Sequence, residues 1–298
     1  MSAAASHGAP PAVTGVASTR RQELVMVAIT VLWGTTFLIV QTALAHCGPL
    51  FFVGVRFSVA TLMSLAVAGR ALAGFTRREL VAGLTIGLTI FLAYALQTLG
   101  LVSITSSQSA FITALYVPIV PLLQWAFGRR PGWSSVAGIG LAFAGLVLLT
   151  APDAGGLALK VGELATIAGA VASAAQIVCI SRYAGTVDIR RVTVVQLAVT
   201  AGLSLALMPL AGEAWPAFSW VWLAAAGGLG VMSTFIVLAM NWAQQSISAT
   251  RATVIYASEP VWAGVVGWLA GDRLPASAFA GAALILAGVL VSEWKPRE

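Results

Sequence analysis

From residue 23 onward the chain is a succession of apolar runs broken by short polar links. The runs fall at about 23–45, 50–68, 79–101, 107–127, 133–151, 161–181, 192–211, 219–243, 250–270 and 276–293. Each is close to the roughly 20 residues that carry an α-helix across a bilayer. The runs are continuous rather than alternating, so they predict helices and not the strands of a membrane barrel. Residues 1–22, MSAAASHGAPPAVTGVASTRRQ, are small, polar and proline-containing, and read as a disordered cytosolic tail. The pattern therefore predicts an all-α integral membrane protein with ten transmembrane helices.

Composition narrows the class further. Of the 298 residues 59% are hydrophobic and 9% charged, against about 25% charged in soluble domains. The mean hydropathy is +0.94. With the N-terminus in the cytosol, 13 of the 16 basic residues fall on the cytosolic side, Lys160 and Arg273 on the outer side, and Arg56 inside the second span. Cytoplasmic links carry such an excess of Lys and Arg. The net charge of +6 is thus a topology signal and does not point to nucleic acid. Seven tryptophans, at 125, 133, 215, 220, 242, 268 and 294, lie near span ends, where an aromatic belt sits. Cys47 and Cys179 fit no disulfide or metal pattern, and His7 and His46 lie outside the spans. No nucleophile–base or metal motif is present, so the sequence predicts no enzyme, no metal and no cofactor.

The chain repeats itself. Residues 103–145 align without gaps on 246–288, so that Ser103 meets Ser246, Ile112 meets Ile255 and Trp125 meets Trp268. Gly128, Gly138 and Gly145 meet Gly271, Gly281 and Gly288. Val59 and residues 64–66 find weaker counterparts in Val199 and residues 204–206. Two five-helix units result, residues 23–151 and 161–293. Because five is odd, the second enters the membrane upside down, the arrangement of many secondary transporters. Gly138 with Gly145, and Gly281 with Gly288, permit close helix packing.

Several stretches resemble the EamA family of the drug/metabolite transporter superfamily. They are LWGTTF (32–37), Arg56-Phe57, LQTLGLVSITSSQSAFITALYVPIVPLL (96–123) and SEPVWAGVVGWLAGDRL (258–274). The family often has Glu where Arg129 stands in the first repeat link, and Asp272 is a shorter acid in the second. The resemblance implies a carrier of the bacterial inner membrane with both termini cytoplasmic. It would export small metabolites, often amino acids, by alternating access. Drug-like compounds or another metabolite class on the same scaffold is the alternative. The implied partners are a small-molecule substrate and the lipid bilayer, with the chain a monomer or weak dimer. The resemblance also implies a cavity lined by spans one, three, four, six, eight and nine.

Deep in those spans lie Trp33, Tyr94, Gln97, Tyr116, Gln176 and Tyr256, the candidate substrate-binding residues, with Thr36 and Asn241 as further polar positions. Rings and amides suit a neutral or zwitterionic solute, and aromatic faces attract an ammonium. Trp33 has a second reading, packing against span six. Pro118, Pro121 and Pro260 remove backbone hydrogen bonds inside spans four and nine, as fixed bends or as flexible points. Glu259 stands mid-span, where an uncompensated charge costs about 3 kcal/mol. Two readings of it remain open. One is a structural or gating carboxylate bonded to its neighbours or to Arg56. The other is a site for a proton or a substrate amine.

Overall fold

The computed structural model describes residues 16–126, 132–150, 159–273 and 276–292. Twelve α-helices and one 3-10 turn (Gly69–Leu72) occur among the described residues, and no strand. The helices of the first half are α1 (Val16–Leu44), α2 (Pro49–Ala68), α3 (Arg77–Gly100), α4 (Ser106–Thr113), α5 (Tyr116–Ala126) and α6 (Trp133–Thr150). Those of the second are α7 (Val161–Tyr183), α8 (Ile189–Leu207), α9 (Trp220–Ala243), α10 (Ala249–Tyr256), α11 (Glu259–Leu269) and α12 (Ala276–Ser292). Among the described residues, seven helical stretches are long and apolar enough to cross a membrane.

Two expectations need correction. Residues 16–22 are not tail: α1 begins at Val16, and Gln22 is buried with its amide donating to Ser246 Oγ at 3.0 Å. Residues 1–15, the link 128–131 and Trp294 lie outside the described residues. Nor do the prolines bend continuous helices. The fourth and ninth apolar runs are each split into two half-helices, at Ala114–Leu115 and at Ala257–Ser258. Pro118 and Pro260 fall in the first turn after the break, Pro260 at its very start. There a missing N–H removes no helical hydrogen bond. Only Pro121 sits inside a helix, α5.

Local chemistry sets the helix ends. Thr76 and Glu79 form a reciprocal capping box that opens α3. Thr105, Asp188, Ser219 and Ser248 cap α4, α8, α9 and α10 through their side-chain oxygens, taking up N–H groups the helix leaves open. Several buried hydroxyls, such as Thr166 and Ser204, turn back onto the carbonyl one turn earlier.

The distribution of polarity is that of a body in lipid. Thr30, Ser109, Thr166, Thr193, Thr200 and Thr234 are fully buried, whereas Leu62, Phe143 and Leu290 stand more than 60% exposed. Broad apolar exposure of this kind marks a surface that faces something other than water. Trp125, Trp133, Trp215, Trp220 and Trp268 are exposed near helix ends, as a belt requires.

The two halves pack by one pattern. α1 meets α9 and α11, as α7 meets α3 and α5; α2 meets α9, as α8 meets α3; α4 meets α11, as α10 meets α5. The pairs α2–α8 and α6–α12 join like to like. In the last pair, a Cβ on Gly145 would lie 2.5 Å from the Gly281 carbonyl, and one on Gly288 2.6 Å from the Gly138 carbonyl. These glycines therefore bring α6 and α12 into backbone contact within one chain.

Candidate functional site

The two helix breaks determine where the site lies. In both, the chain leaves a half-helix through one tight turn: Ala114 N–H reaches Ala110 O and Leu115 N–H reaches Ile112 O, as Ala257 N–H reaches Thr253 O and Ser258 N–H reaches Ile255 O. The next residue begins a new half-helix. In the first half it is Tyr116, and in the second Glu259. These are equivalent positions in the repeat, 143 residues apart like Ser103 and Ser246. The packing brings them together across the centre, the Tyr116 hydroxyl toward the Glu259 carboxyl. The approach falls short of hydrogen-bonding geometry, leaving Tyr116 Oη buried with no partner among the described residues.

All six candidate binding residues and Glu259 line one central cavity. α1 supplies Trp33, α3 supplies Tyr94 and Gln97, α5 supplies Tyr116, α7 supplies Gln176, α10 supplies Tyr256 and α11 supplies Glu259. Trp33 Nε1–H donates to Tyr94 Oη at 3.1 Å, and its ring meets Tyr256 edge-on at 5.8 Å. Trp33 thus joins α3 and α10, and it shares the cavity wall with Ser173 and Gln176 of span six. The Tyr256 hydroxyl lies 3.5 Å from Gln244 Nε2. Gln97 Nε2–H donates to Thr113 Oγ1 at 3.1 Å. Gln176 is buried and makes no side-chain hydrogen bond among the described residues. The side chains leave about 20 Å³ between them, room for about one water. A pocket for a drug-sized ligand measures roughly 300 Å³ or more.

Gly34 makes this closeness possible. A Cβ there would stand 2.7 Å from Trp262 Cβ and 2.8 Å from Ala263 N. Only a glycine lets α1 press onto α11 beside Trp33 and Glu259.

The remaining candidates are placed as follows. Arg56 is buried in α2, its Nε–H donating to Ser233 Oγ at 2.9 Å and its guanidinium lying 4.9 Å from the Tyr94 ring centre. The suggested bond from Arg56 to Glu259 does not occur: none of the three ion pairs among the described residues includes either. Tyr94 stands between them, neighbouring both. Pro118 and Pro260 are buried just behind Tyr116 and Glu259. Thr36 bonds back to the Trp33 carbonyl and Asn241 donates to Thr193, both as ties within the helix bundle. Ser173, Thr113 and Met240 also line the cavity and escaped the sequence reading. Ser173 and Thr113 stand three residues before Gln176 and Tyr116, but small side chains in an apolar run carry little signal.

Polar contacts close the cavity toward both ends. At one end Asp272, after α11, accepts from Ser106 Oγ at 3.0 Å, Ser107 Oγ at 2.7 Å and Ser107 N–H at 3.2 Å, at the start of α4. Gln41 binds the same turn through Ser106 N–H and the Ile104 carbonyl. Gln108 Nε2–H donates to Glu163 at 2.8 Å. Asp272 is therefore more than the link position its sequence context implied. At the other end Arg251, the repeat equivalent of Gln108, forms an ion pair with Glu23. There Ser181 and Gln244 are joined at 3.1 Å, beside a polar recess of about 700 Å³ lined by Ser181, Arg182, Gln244 and Ser248.

Comparison with known proteins agrees with this architecture. An uncharacterized transporter of Archaeoglobus fulgidus is 32% identical over 166 residues, 54% of this chain and 49% of that protein. The uncharacterized transporter YvbV of Bacillus subtilis is 27% identical over 185 residues, 60% of each chain. These matches span about half and three fifths of the relatives' length. One solved crystal structure, 23% identical, superposes with a TM-score of 0.66 over 91% of this chain and 98% of that one, and so shares the fold. The EamA-like transporter family matches residues 21–151 and again residues 160–294. The chain is a multi-pass membrane protein that belongs to the EamA-like transporter family.

Proposed function

We propose that this chain is a secondary carrier which moves small metabolites, amino acids among them, across a bacterial inner membrane by alternating access. The observation that carries this reading is the convergence of both helix breaks, six aromatic or amide side chains and Glu259 on one closed central cavity. Carriers built from inverted repeats place the substrate at such a point, between half-helices near the bilayer midplane. The reading takes ten spans, with α4–α5 and α10–α11 each counted as one broken span. It takes residues 23–151 and 161–293 as two inverted five-helix domains. The matching contact pattern of the two halves supports it. So does the gathering of Arg70, Arg77, Arg78, Arg182, Arg190, Arg191 and Arg251 at one end of the helices, which favours a cytoplasmic N-terminus.

In this scheme Asp272 with Ser106 and Ser107 latches the outer end, and Glu23 with Arg251 latches the inner end. Each latch breaks as its end opens. Pro118 and Pro260, near the starts of α5 and α11, keep the breaks from healing into continuous helix. Glu259 and Arg56, on either side of Tyr94, couple the cavity to the packing of α2 and α9.

The test is uptake of labelled amino acids by the purified protein in liposomes, with and without a pH gradient. Saturable uptake with counterflow is expected. A flux that never saturates would mean a channel and sink the carrier reading.

A further inference from the structure

Away from the central cavity, a groove of about 410 Å³ runs between α1 and α10, lined by Arg20, Glu23, Leu24, Val27, Arg251 and Ile255. Both helices begin at the arginine-rich end of the molecule, and both walls show the same order of chemistry. On α1, Arg20, Leu24, Val27 and Val31 follow one another at helical spacing and share one face. On α10, Ile255 stands one turn after Arg251. Each wall thus starts with a guanidinium at the helix end and continues into apolar side chains. Leu24 is 64% exposed, with Val27 and Val31 also exposed, so this apolar track faces the bilayer. The charge of the groove is unbalanced. Arg251 pairs with Glu23, yet its side chain stays 59% exposed. Arg20 is exposed and belongs to none of the three ion pairs among the described residues. Arg21, with its guanidinium 5.9 Å from the Trp242 ring centre, adds positive charge at the same helix end.

We propose that this groove binds an anionic phospholipid, its phosphate held by Arg20 and Arg251 and an acyl chain laid along Leu24, Val27 and Val31. A guanidinium grips phosphate oxygens in pairs through parallel N–H groups, and basic pockets between membrane helices take acidic headgroups. A soluble phosphate leaves the apolar track unused. A zwitterionic lipid brings its own ammonium beside two guanidinium groups, which repel it. Residues 1–15 contain no acidic side chain, so the segment before α1 supplies no rival anion. The rival lies inside the groove: Glu23 and the lipid phosphate compete for Arg251, and the lipid loosens the tie between α1 and α10. The site requires only a chain in a bilayer and goes beyond the carrier reading. Under that reading it makes the inner latch sensitive to lipid charge.

The full chain, purified and delipidated in a neutral detergent, is titrated with phosphatidylglycerol or phosphatidylcholine, and bound lipid is counted by native mass spectrometry. Phosphatidylglycerol is expected to bind about tenfold more tightly than phosphatidylcholine, and Arg20→Gln and Arg251→Gln should each weaken it about fivefold. Arg70→Gln removes one positive charge from the same end of the molecule, in the exposed 3-10 turn outside the groove, and should leave the affinity within about twofold. Glu23→Gln should tighten binding, because it frees Arg251. Equal affinity for the two lipids overturns the proposal, and that comparison stands even where a variant fails to fold. An Arg70→Gln loss as large as the groove variants' also overturns it, since binding is then a general attraction to the basic end. Release of the lipid by excess inorganic phosphate would make the ligand a soluble phosphate and not a lipid. Unchanged or weaker binding in Glu23→Gln removes the competition for Arg251.

Discussion

At the scale of single residues, the centre depends on how closely backbones approach. Gly34 is the sharpest case, because its hypothetical Cβ meets Trp262 Cβ and the Ala263 backbone. Overpacking of this kind costs about 1–3 kcal/mol. Gly34→Val should lower the melting temperature of the detergent-purified protein by several degrees, and a thermal-shift assay checks it. A variant that melts at the wild-type temperature would show that α1 and α11 do not meet there. The LWG stretch was conspicuous in the sequence, but its reason was not. The glycine makes room for the helix that carries Glu259, and the tryptophan beside it ties α3 to α10.

At the scale of elements, the broken helices have the largest consequences. Each half-helix start places one side chain, Tyr116 or Glu259, at the centre, and the opposite ends of the same elements carry the latches. Asp272 receives three hydrogen bonds from α4. Hydrogen bonds to charged groups contribute about 1.5–3 kcal/mol each. Asp272→Asn keeps the shape but removes the charge and much of the accepting capacity. In a Cys-free background, a cysteine at Ser109, fully buried in α4 behind that latch, should react with a maleimide about tenfold faster when Asp272 is Asn. Unchanged labelling would mean that Asp272 merely closes a turn. Prolines in apolar runs were legible as interruptions. That the interruption precedes each proline was not, since the turn is made by Ala114–Leu115 and Ala257–Ser258, residues with no turn signature of their own.

At the scale of the whole molecule, the fold makes a prediction about sidedness. Leu210 is 82% exposed beyond α8, on the end opposite the arginine cluster. A cysteine introduced at Leu210 should be labelled in intact cells by a membrane-impermeant maleimide, whereas one at Arg70 should react only after lysis. The reverse result would invert the topology. Cys47 is a poor native reporter for the same end. Burial, with Glu213 beside it, pushes its thiol up to about 11. Little of the reactive thiolate is then present at pH 7, and more appears only as the pH climbs toward 11.

The sequence by itself determined the membrane class, the helical runs, the internal repeat and the family resemblance. Each of these depends on local quantities: an apolar run has to match the bilayer thickness, and a repeat preserves residue spacing. It also named the six cavity residues, because polar and aromatic side chains deep in apolar spans are costly unless they face one another or a ligand. Only the tertiary structure decided which of them meet. The approach of Tyr116 to Glu259, the screening of Arg56 by Tyr94 and the latch at Asp272 bring together residues more than 35 positions apart. Such contacts depend on how helices cross, and a periodic apolar pattern specifies a buried face without specifying the helix it packs against.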